Sequence, residues 1–207
     1  MEDYVNVTID TYNQTAKEYA ENVAGLCPMS ELEKFVNYVS SGCVLDVGCG
    51  SGVAARNLQE KGLQVYGIDL SRNLLNLARV ESPDSKFYFM DMQRIGFPEN
   101  SFDGIWQVGS LLHLKKEDVP IALNEVNRVL KPQGIMYLAV KEGKGEGNEF
   151  DKRYGSLPKY YSYFEKEEIN EFLEKSNFEV LENLENRSAS NYHKNAPNWL
   201  NIFAKKK

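Results

Sequence analysis

The stretch CVLDVGCGSGVA, residues 43–54, places three glycines within five residues directly after a short apolar run. One acid, Asp46, interrupts that run, and the glycines stand at positions 48, 50 and 52. A strand, a glycine turn and a helix in this order commonly form the floor of a ligand site in an open α/β sheet. We therefore expect a ligand at the end of this strand, with a purely structural turn as the alternative.

Two known glycine patterns do not fit this turn. The dinucleotide pattern G-x-G-x-x-G needs a glycine where Val53 stands, and the phosphate-loop pattern needs a Gly-Lys-Ser/Thr sequence that does not follow. A dehydrogenase is therefore a weaker alternative.

The rest of the chain alternates β-prone apolar runs with segments of helical period, which is typical of βαβ units. We predict one α/β domain over residues 1–207, with a seven-stranded, mostly parallel sheet flanked by helices. The predicted strands are 43–47, 64–69, 86–90, 102–108, 134–140, 178–184 and 199–204.

Local signals mark the segments around these strands. Residues 1–40 are predicted to form a helical cap, with a capping box at Ser30 and Glu33. Ser71 is the expected N-cap of a helix, and Asn177 the expected left-handed residue after another. Residues 141–164 are rich in glycine and then tyrosine and exceed the usual connection of about 2 to 6 residues, so we predict a lid loop there. Residues 165–207 supply the last helix and strands.

Composition narrows the class of protein. The net charge is −6, with 42% hydrophobic and 26% charged residues, as in an ordinary globular domain. No apolar run approaches the roughly 18 residues of a membrane helix, and the opening Met-Glu-Asp lacks a secretory pattern, so we expect a cytoplasmic protein. The negative charge disfavours nucleic acid as a partner. Three cysteines without a C-x-x-C pair predict reduced thiols and no zinc site. The oligomeric state is left open.

Acids close three of the predicted strands. Asp46 lies near the end of the first strand, where a carboxylate favours a cationic or donor-rich ligand and repels a pyrophosphate. Asp69 closes the second strand, where an acid can accept both hydroxyl hydrogens of a ribose. Asp91 closes the third and is placed to meet the exocyclic amine of an adenine. Together they suit a ligand with an ammonium, a ribose and an adenine.

These stretches resemble the class I S-adenosylmethionine-dependent methyltransferases over about residues 44–140. The matching motifs are VLDVGCGSG, VYGIDLS, FYFMDMQRIGFPENSFDGIWQ and LNEVNRVLKPQGIMYLAV. The resemblance implies a Rossmann-like fold, a cofactor-binding core over residues 43–140, and S-adenosylmethionine as the cofactor. One departure is Gln133, where the family pattern usually has a second glycine.

The resemblance also implies roles for single residues. It places Asp46, Gly48, Cys49, Gly50 and Gln107 around the methionine part of the cofactor, Asp69 at the ribose, and Leu70, Asp91 and Met92 at the adenine. Tyr12 and Tyr19 are similar to a Y-x-x-x-A-x-x-Y helix that covers the cofactor in many small-molecule methyltransferases. The alternative is that these two tyrosines only cover the sheet edge.

The methyl acceptor is expected to be a small molecule with an oxygen or nitrogen nucleophile, methylated by in-line displacement without a metal. His113 is the candidate base, an acceptor-orienting donor or a structural histidine, whereas His193 is expected at the surface. The expected enclosing residues are Tyr154, Tyr160, Tyr161 and Tyr163. The alternatives are an acceptor on a modified nucleoside or protein side chain, and a non-catalytic S-adenosylmethionine-binding protein.

Overall fold

Nine strands lie within residues 3–151, 155–187 and 198–207, which are the residues that the computed structural model describes. They are β1 Cys43–Val47, β2 Gln64–Asp69, β3 Lys86–Phe89, β4 Phe102–Val108, β5 Leu130–Lys141, β6 Glu146–Asp151, β7 Leu157–Ser162, β8 Phe178–Arg187 and β9 Asn198–Lys206. Seven of them form one sheet in the order β3-β2-β1-β4-β5-β9-β8. The strand β9 runs antiparallel to the other six strands of this sheet. The predicted seven-stranded, mostly parallel sheet is confirmed.

Seven α-helices lie in the same described residues. They are α1 Asp3–Gln14, α2 Ala16–Val23, α3 Met29–Val39, α4 Val53–Glu60, α5 Arg72–Glu81, α6 Val119–Val129 and α7 Lys166–Lys175. Side chains alternate between the two faces of a strand, so Leu45 and Val47 pack with α6 and α7, while Val44 packs with α3, α4 and α5. The sheet is therefore covered on both faces. None of these helices is long and apolar enough to cross a membrane.

The turn between β1 and α4 explains the glycine spacing. Gly48, Gly50 and Gly52 have φ angles of 74°, 53° and 88°, a region that side chains disfavour. A Cβ on Gly48 would also overlap the side chain of Ser110, whose hydroxyl donates to the Val47 carbonyl at 2.6 Å. The turn thus brings the ends of β1 and β4 into direct contact.

Two predicted helix signals are confirmed and one is wrong. The Ser71 hydroxyl accepts from Leu74 N at 3.2 Å at the start of α5, and Asn177 has a φ of 64° after α7. The predicted capping box at Ser30 and Glu33 is wrong. Helix α3 begins at Met29, two residues earlier than a cap at Ser30 would require, and its N-cap is Pro28, which makes no side-chain hydrogen bond.

The predicted lid loop at residues 141–164 is also corrected, because much of it is regular. Strands β6 and β7 form an antiparallel hairpin, and Tyr160, Tyr161 and Ser162 of β7 are buried. The glycine and tyrosine content of this segment predicts a loop. In the structure, successive β7 side chains pack on different neighbours, as expected for a strand. Whether the hairpin moves when ligands bind stays a prediction.

Candidate active site

The carboxyl ends of β1, β2 and β4 meet at one edge of the sheet. Asp46 pairs with Gly67 of β2 on one side and Trp106 of β4 on the other, and the chain order reverses between β1 and β4. Open α/β sheets bind ligands at such a reversal. We call Asp46, Asp69 and Asp91, which lie at or just beyond the ends of β1, β2 and β3, the acidic edge.

Asp46 is the most buried member of the acidic edge, with 3% of its surface exposed. Burial, and then the nearby Asp69 carboxylate, raise the pKa of Asp46 to about 8. Its Oδ2 and the Oε1 of Gln107 are buried acceptors with no hydrogen-bond partner among the residues described. Because a buried acceptor is costly without a donor, the Asp46 carboxyl favours a donor-rich or cationic group beside it.

Asp69 organises the glycine turn. Its Oδ2 accepts from Gly50 N at 2.9 Å and its Oδ1 accepts from Ser71 N at 2.8 Å. Burial raises the pKa of Asp69, and the backbone hydrogen bonds from Ser71, Gly50 and Leu70 oppose that rise. Each carboxylate oxygen can accept a second hydrogen bond, so the group can hold the turn and bind two further donors.

Asp91 and Met92, which are expected at the adenine, follow β3 and lie close to the end of β4. Asp91 accepts from Gln93 N at 2.9 Å through Oδ1, and both Asp91 and Met92 are partly exposed. Gln107 is fully buried, and its Nε2 lies 3.5 Å from the sulfur of Met92. The structure therefore links the ends of β3 and β4.

Tyr12 and Tyr19 lie over the glycine turn. A methyl group built on Gly50 would be 3.5 Å from Cε1 of Tyr19, and the Tyr19 and Tyr12 rings meet edge to face at 5.1 Å. The helix is interrupted between them at Thr15, which separates α1 from α2. The two tyrosines therefore lie beside the glycine turn, and their role as a cover for the cofactor stays a prediction.

Helix α1 is attached to β7 by hydroxyl groups. Thr8 Oγ1 accepts from Tyr160 N at 2.9 Å, and Thr11 Oγ1 donates to the Pro158 carbonyl at 2.6 Å. These bonds satisfy backbone groups of β7 that would otherwise lie unpaired on its free edge. The hairpin is therefore tied to the N-terminal cover.

His113 lies in a short 3-10 helix, Leu111–His113, after β4. Its Nδ1 lies 2.6 Å from the Tyr160 carbonyl, which can only accept, so Nδ1 carries the proton. In the neutral ring Nε2 then accepts from the Tyr12 hydroxyl at 2.8 Å. Burial lowers the pKa of His113 to about 3, the bond to Tyr160 opposes this, and the charges of Lys159 and Lys141 add to the decrease.

The tyrosines expected around an acceptor are divided between two faces of β7. The Tyr161 ring lies 4.8 Å from the His113 ring, whereas the Tyr160 ring packs against Tyr4 at 4.6 Å on the opposite face. Tyr163 donates to Glu149 at 2.5 Å near the surface. Tyr154 and His193 lie outside the described residues.

Sequence reasoning missed two lysines beside this group. Lys159 is 2% exposed, and its Nζ lies 4.8 Å from the centre of the Tyr12 ring. The Nζ of Lys141, at the end of β5, lies 3.6 Å from the centre of the Tyr161 ring. A signal was present, because Lys159 and Tyr161 are two residues apart and would share one face of a strand. The prediction of a loop at residues 141–164 hides this signal, because residues two apart share a face only in a strand. We call Lys141 and Lys159 the lysine pair.

A three-layer α/β domain with a glycine turn and acids at three adjacent strand ends belongs to the class of open α/β sheets that bind nucleoside-containing ligands at the carboxyl ends of their strands. A model of a methyltransferase domain matches residues 45–138. The chain is 30% identical over 183 residues to phosphoethanolamine N-methyltransferase of Plasmodium falciparum, covering 79% of this chain and 67% of that protein. The chain belongs to the class I S-adenosylmethionine-dependent methyltransferases.

Two further proteins show the extent of the similarity. Malonyl-[acyl-carrier protein] O-methyltransferase of Buchnera aphidicola is 29% identical over 141 residues, which are 68% of this chain but 54% of that protein. The structure of Burkholderia thailandensis 1,6-didemethyltoxoflavin-N1-methyltransferase, with bound 1,6-didemethyltoxoflavin and S-adenosylhomocysteine, has a TM-score of 0.79 at 20% identity. That match covers 99% of this chain and 89% of the other, and it extends the fold to both ends. The chain spans about half the length of the Buchnera relative.

The residues present fit S-adenosylmethionine. The cofactor carries an amino group, a ribose diol and an adenine, and Asp46 offers a buried acceptor for the first of these. Asp69 has remaining acceptor capacity for the diol. Because S-adenosylmethionine has no phosphate group, its site does not need a phosphate-binding turn.

Proposed function

We propose that the protein transfers a methyl group from S-adenosylmethionine to an oxygen or nitrogen of a small molecule. The observation that carries the proposal is the buried Asp46 carboxyl, whose Oδ2 has no hydrogen-bond partner among the described residues. A cationic amine supplies the N–H donors that this oxygen needs. The relatives named above, an N- and an O-methyltransferase, support the same reaction class.

The proposal gives each residue at the acidic edge a role. Asp46 accepts from the amino group, Gln107 lies beside the methionine part, and Asp69 accepts from the ribose hydroxyls. Asp91, with Leu70 and Met92 beside it, binds the adenine. The backbone at Gly48, Cys49 and Gly50 lies against the methionine part, and Tyr19 and Tyr12 cover it.

The chemistry needs little from the protein beyond alignment. When bound, S-adenosylmethionine supplies a methyl group on a sulfonium, which is an activated leaving group. Tyr12, His113 and Tyr161 form a fixed wall, because His113 is hydrogen-bonded through both ring nitrogens. Such a wall orients an acceptor and excludes water. We assign His113 to positioning, since its basic nitrogen already accepts from Tyr12.

When the acceptor is a neutral amine, its proton does not require a protein base. A neutral amine acceptor becomes a cation on methylation and releases its proton to water afterwards. The low pKa of His113 supports this view, because a group with a pKa of about 3 is a weak base at neutral pH.

Calorimetry and a product assay test the proposal. We expect S-adenosylmethionine and S-adenosylhomocysteine to bind with 1:1 stoichiometry, and nicotinamide dinucleotides not to bind. Purified protein incubated with S-adenosylmethionine and a panel of small amines, phenols and acids should release S-adenosylhomocysteine with at least one acceptor. Binding of nicotinamide dinucleotide alone would overturn the proposal. Release only with nucleosides or a protein acceptor would move the activity to those substrates.

A further inference from the structure

The segment that carries Asp91 is an irregular connection. Residues 90–101, all of which the structure describes, join β3 to β4 without a helix. The Asp91 carbonyl accepts from Arg94 N at 3.0 Å, which closes a tight turn over residues 91–94. We call residues 91–94 the Asp91 turn.

Two charged side chains of α6 hold the residues that follow this turn. Glu125 Oε2 accepts from Ile95 N at 2.8 Å, and the Arg128 guanidinium donates to the Ile95 carbonyl at 2.6 Å. The same guanidinium donates to the Phe97 carbonyl at 2.9 Å. Backbone groups outside helices and strands need partners from elsewhere, and here one ion pair supplies three of them. We call Glu125 and Arg128 the α6 ion pair.

The α6 ion pair has a well-defined geometry of its own. Arg128 Nε donates to Glu125 Oε1 at 2.7 Å, and a terminal nitrogen of Arg128 donates to Oε2 at 2.9 Å, so the contact is bidentate. The hydrogen bond from Arg128 lowers the pKa of Glu125, burial opposes this decrease, and the bond from Ile95 N adds to it. The carboxylate therefore stays ionised at neutral pH, and the pair forms one hydrogen-bonded unit with Ile95.

The other end of the Asp91 turn is held by the sheet. Met90 N donates to the Asp69 carbonyl at 3.1 Å, which continues the pairing of β3 with β2. Met90 Sδ accepts from Gly96 N at 3.1 Å, across the base of the turn. Both ends of the turn are thus held, one by β2 and the other by α6.

We propose that Glu125 and Arg128 are positioning residues for recognition of the adenine, because they hold the turn that presents Asp91. The inference rests on the proposed function, in which Asp91 binds the adenine of S-adenosylmethionine. Asp91 Oδ1 already accepts from Gln93 N at 2.9 Å, so the turn itself sets the direction of the carboxylate. Hydrogen bonds weaken steeply with poor angles, so a small shift of the turn would weaken the bond to the exocyclic amine.

A positioning role differs measurably from a purely structural one. The α6 ion pair bonds to Ile95 and Phe97, which follow the Asp91 turn, so it acts on the ligand through that turn. It should therefore affect recognition of the base and leave the ribose and methionine parts of the site unchanged. A purely structural pair would change the stability of the fold without changing which base is bound.

The test compares two ligands of the full chain by isothermal calorimetry. They are S-adenosylhomocysteine and S-inosylhomocysteine, in which hypoxanthine replaces adenine and a carbonyl replaces the exocyclic amine. We expect the parent to bind S-adenosylhomocysteine about 10- to 150-fold more tightly, the size expected for a hydrogen bond to a charged acceptor. Arg128→Leu should lower this ratio about threefold or more, mainly by weakening the binding of S-adenosylhomocysteine.

Conservative variants keep the test informative if Arg128→Leu does not fold. Arg128→Lys should lower the ratio less, because lysine keeps the charge but lacks the planar fork that bonds to a carboxylate and two carbonyls together. Glu125→Gln keeps an oxygen that can accept from Ile95 N, and it should keep most of the ratio. Urea unfolding of each variant measures any loss of stability separately.

Arg79→Leu is the matched control. Arg79 lies on α5 and also donates to a backbone carbonyl, that of Phe87 in β3, at 3.1 Å. Its other hydrogen bond goes to Asn76 of the same helix. Removing this arginine makes the same chemical change away from the Asp91 turn, so the ratio of the two affinities should stay that of the parent.

A double-mutant cycle tests whether Arg128 acts through Asp91. Asp91→Ala should remove most of the preference for adenine. Arg128→Leu should then lower the ratio no further in the Asp91→Ala background, because a positioning residue has no effect on recognition once the residue it positions is gone.

Three results would overturn the inference. One is an unchanged ratio in Arg128→Leu, whether or not its stability falls, which would limit the α6 ion pair to supporting the fold. Another is a further fall of the ratio when Arg128→Leu is added to Asp91→Ala. The third is equal binding of the two ligands by the parent. Failure of S-adenosylhomocysteine to bind the parent would instead count against the proposed function.

Discussion

The acidic edge and the lysine pair lie at opposite ends of a row of rings, and they differ in both charge and origin. We call the four rings between them the aromatic row, and from the glycine turn outward they are Tyr19, Tyr12, His113 and Tyr161. The acidic edge consists of carboxyl groups, and its members lie at or just beyond the ends of the consecutive strands β1, β2 and β3. The lysine pair is basic and comes from β5 and β7, next to residues from α1 and the turn after β4. The acidic edge is built from successive βα units, whereas the other end is built from segments that are distant in sequence. The comparison predicts that each end can be altered without the other.

The largest expected effect is at the acidic edge. Asp69→Ala should weaken S-adenosylhomocysteine binding by roughly 1.5 to 3 kcal/mol, or about 10- to 150-fold, because it removes charged acceptors for the ribose and for the glycine turn. Isothermal calorimetry measures the loss. Asp84→Ala, at an exposed acid, is the control and should leave affinity unchanged. Equal affinities in Asp69→Ala and the parent would remove Asp69 from the site.

The second prediction uses the pKa of Asp46, which burial and Asp69 raise to about 8. An Asp46 that is protonated without ligand must ionise to bind a cationic amine, so binding releases a proton. S-adenosylhomocysteine affinity should therefore rise about tenfold between pH 6.5 and pH 8. Calorimetry in buffers of different ionisation enthalpy counts the proton.

The variant Asp46→Asn is the control for this pH dependence. It should bind more weakly at pH 8 and show a flat profile. For the protein without ligand, a raised folded pKa means that the stability linked to Asp46 is fully present below about pH 4 and is lost as the pH rises through about 8. A parent profile as flat as that of the variant would contradict the ionisation of Asp46 on binding.

A smaller effect is expected at His113, in the middle of the aromatic row. His113→Ala should lower turnover by no more than about tenfold and leave cofactor affinity unchanged, because the residue positions the wall. His113→Asn should restore part of the rate by donating again to the Tyr160 carbonyl. With a pKa of about 3, His113 should give no histidine titration in single-turnover rates between pH 5 and pH 8. A loss of about 100- to 10,000-fold together with such a titration would make it the base.

The smallest effect lies outside both ends and sets a baseline for the stability of the fold. Gln133 has a φ of 65°, in the left-handed region where the family pattern usually has glycine. Gln133→Gly should raise the free energy of unfolding by about 0.5 to 1 kcal/mol, with cofactor affinity unchanged. Urea unfolding measures the gain. Gln133→Ala, which keeps a Cβ, should show none, and a gain in both variants would rule out backbone strain as the cause.

The two ends also differ in how far the sequence predicted them. The strands and the acidic edge follow from local patterns, since alternating βαβ units place the ends of consecutive strands at one edge. The lysine pair could not be found in this way, because Lys159 meets Tyr12 only after α1 docks on β7. Glycine and tyrosine content alone predicts a loop at the hairpin. The alternation of side chains between the two faces of β7 is the signal that indicates a strand. Ser30 is not the cap because α3 already begins at Met29, after Pro28, so Ser30 lies inside the first turn of the helix.

The threonine bonds between α1 and β7 have a consequence for the order of folding. Thr8 bonds a residue 152 positions away and Thr11 one 147 positions away, whereas the Gly50 to Asp69 bond spans 19 positions. Contacts between distant residues carry a larger loop-closure cost and form after local ones. We expect α1 to be among the last elements to dock. On the proposed function, the strand ends that would bind the cofactor thus form before the hairpin that would contact the acceptor is fixed by α1.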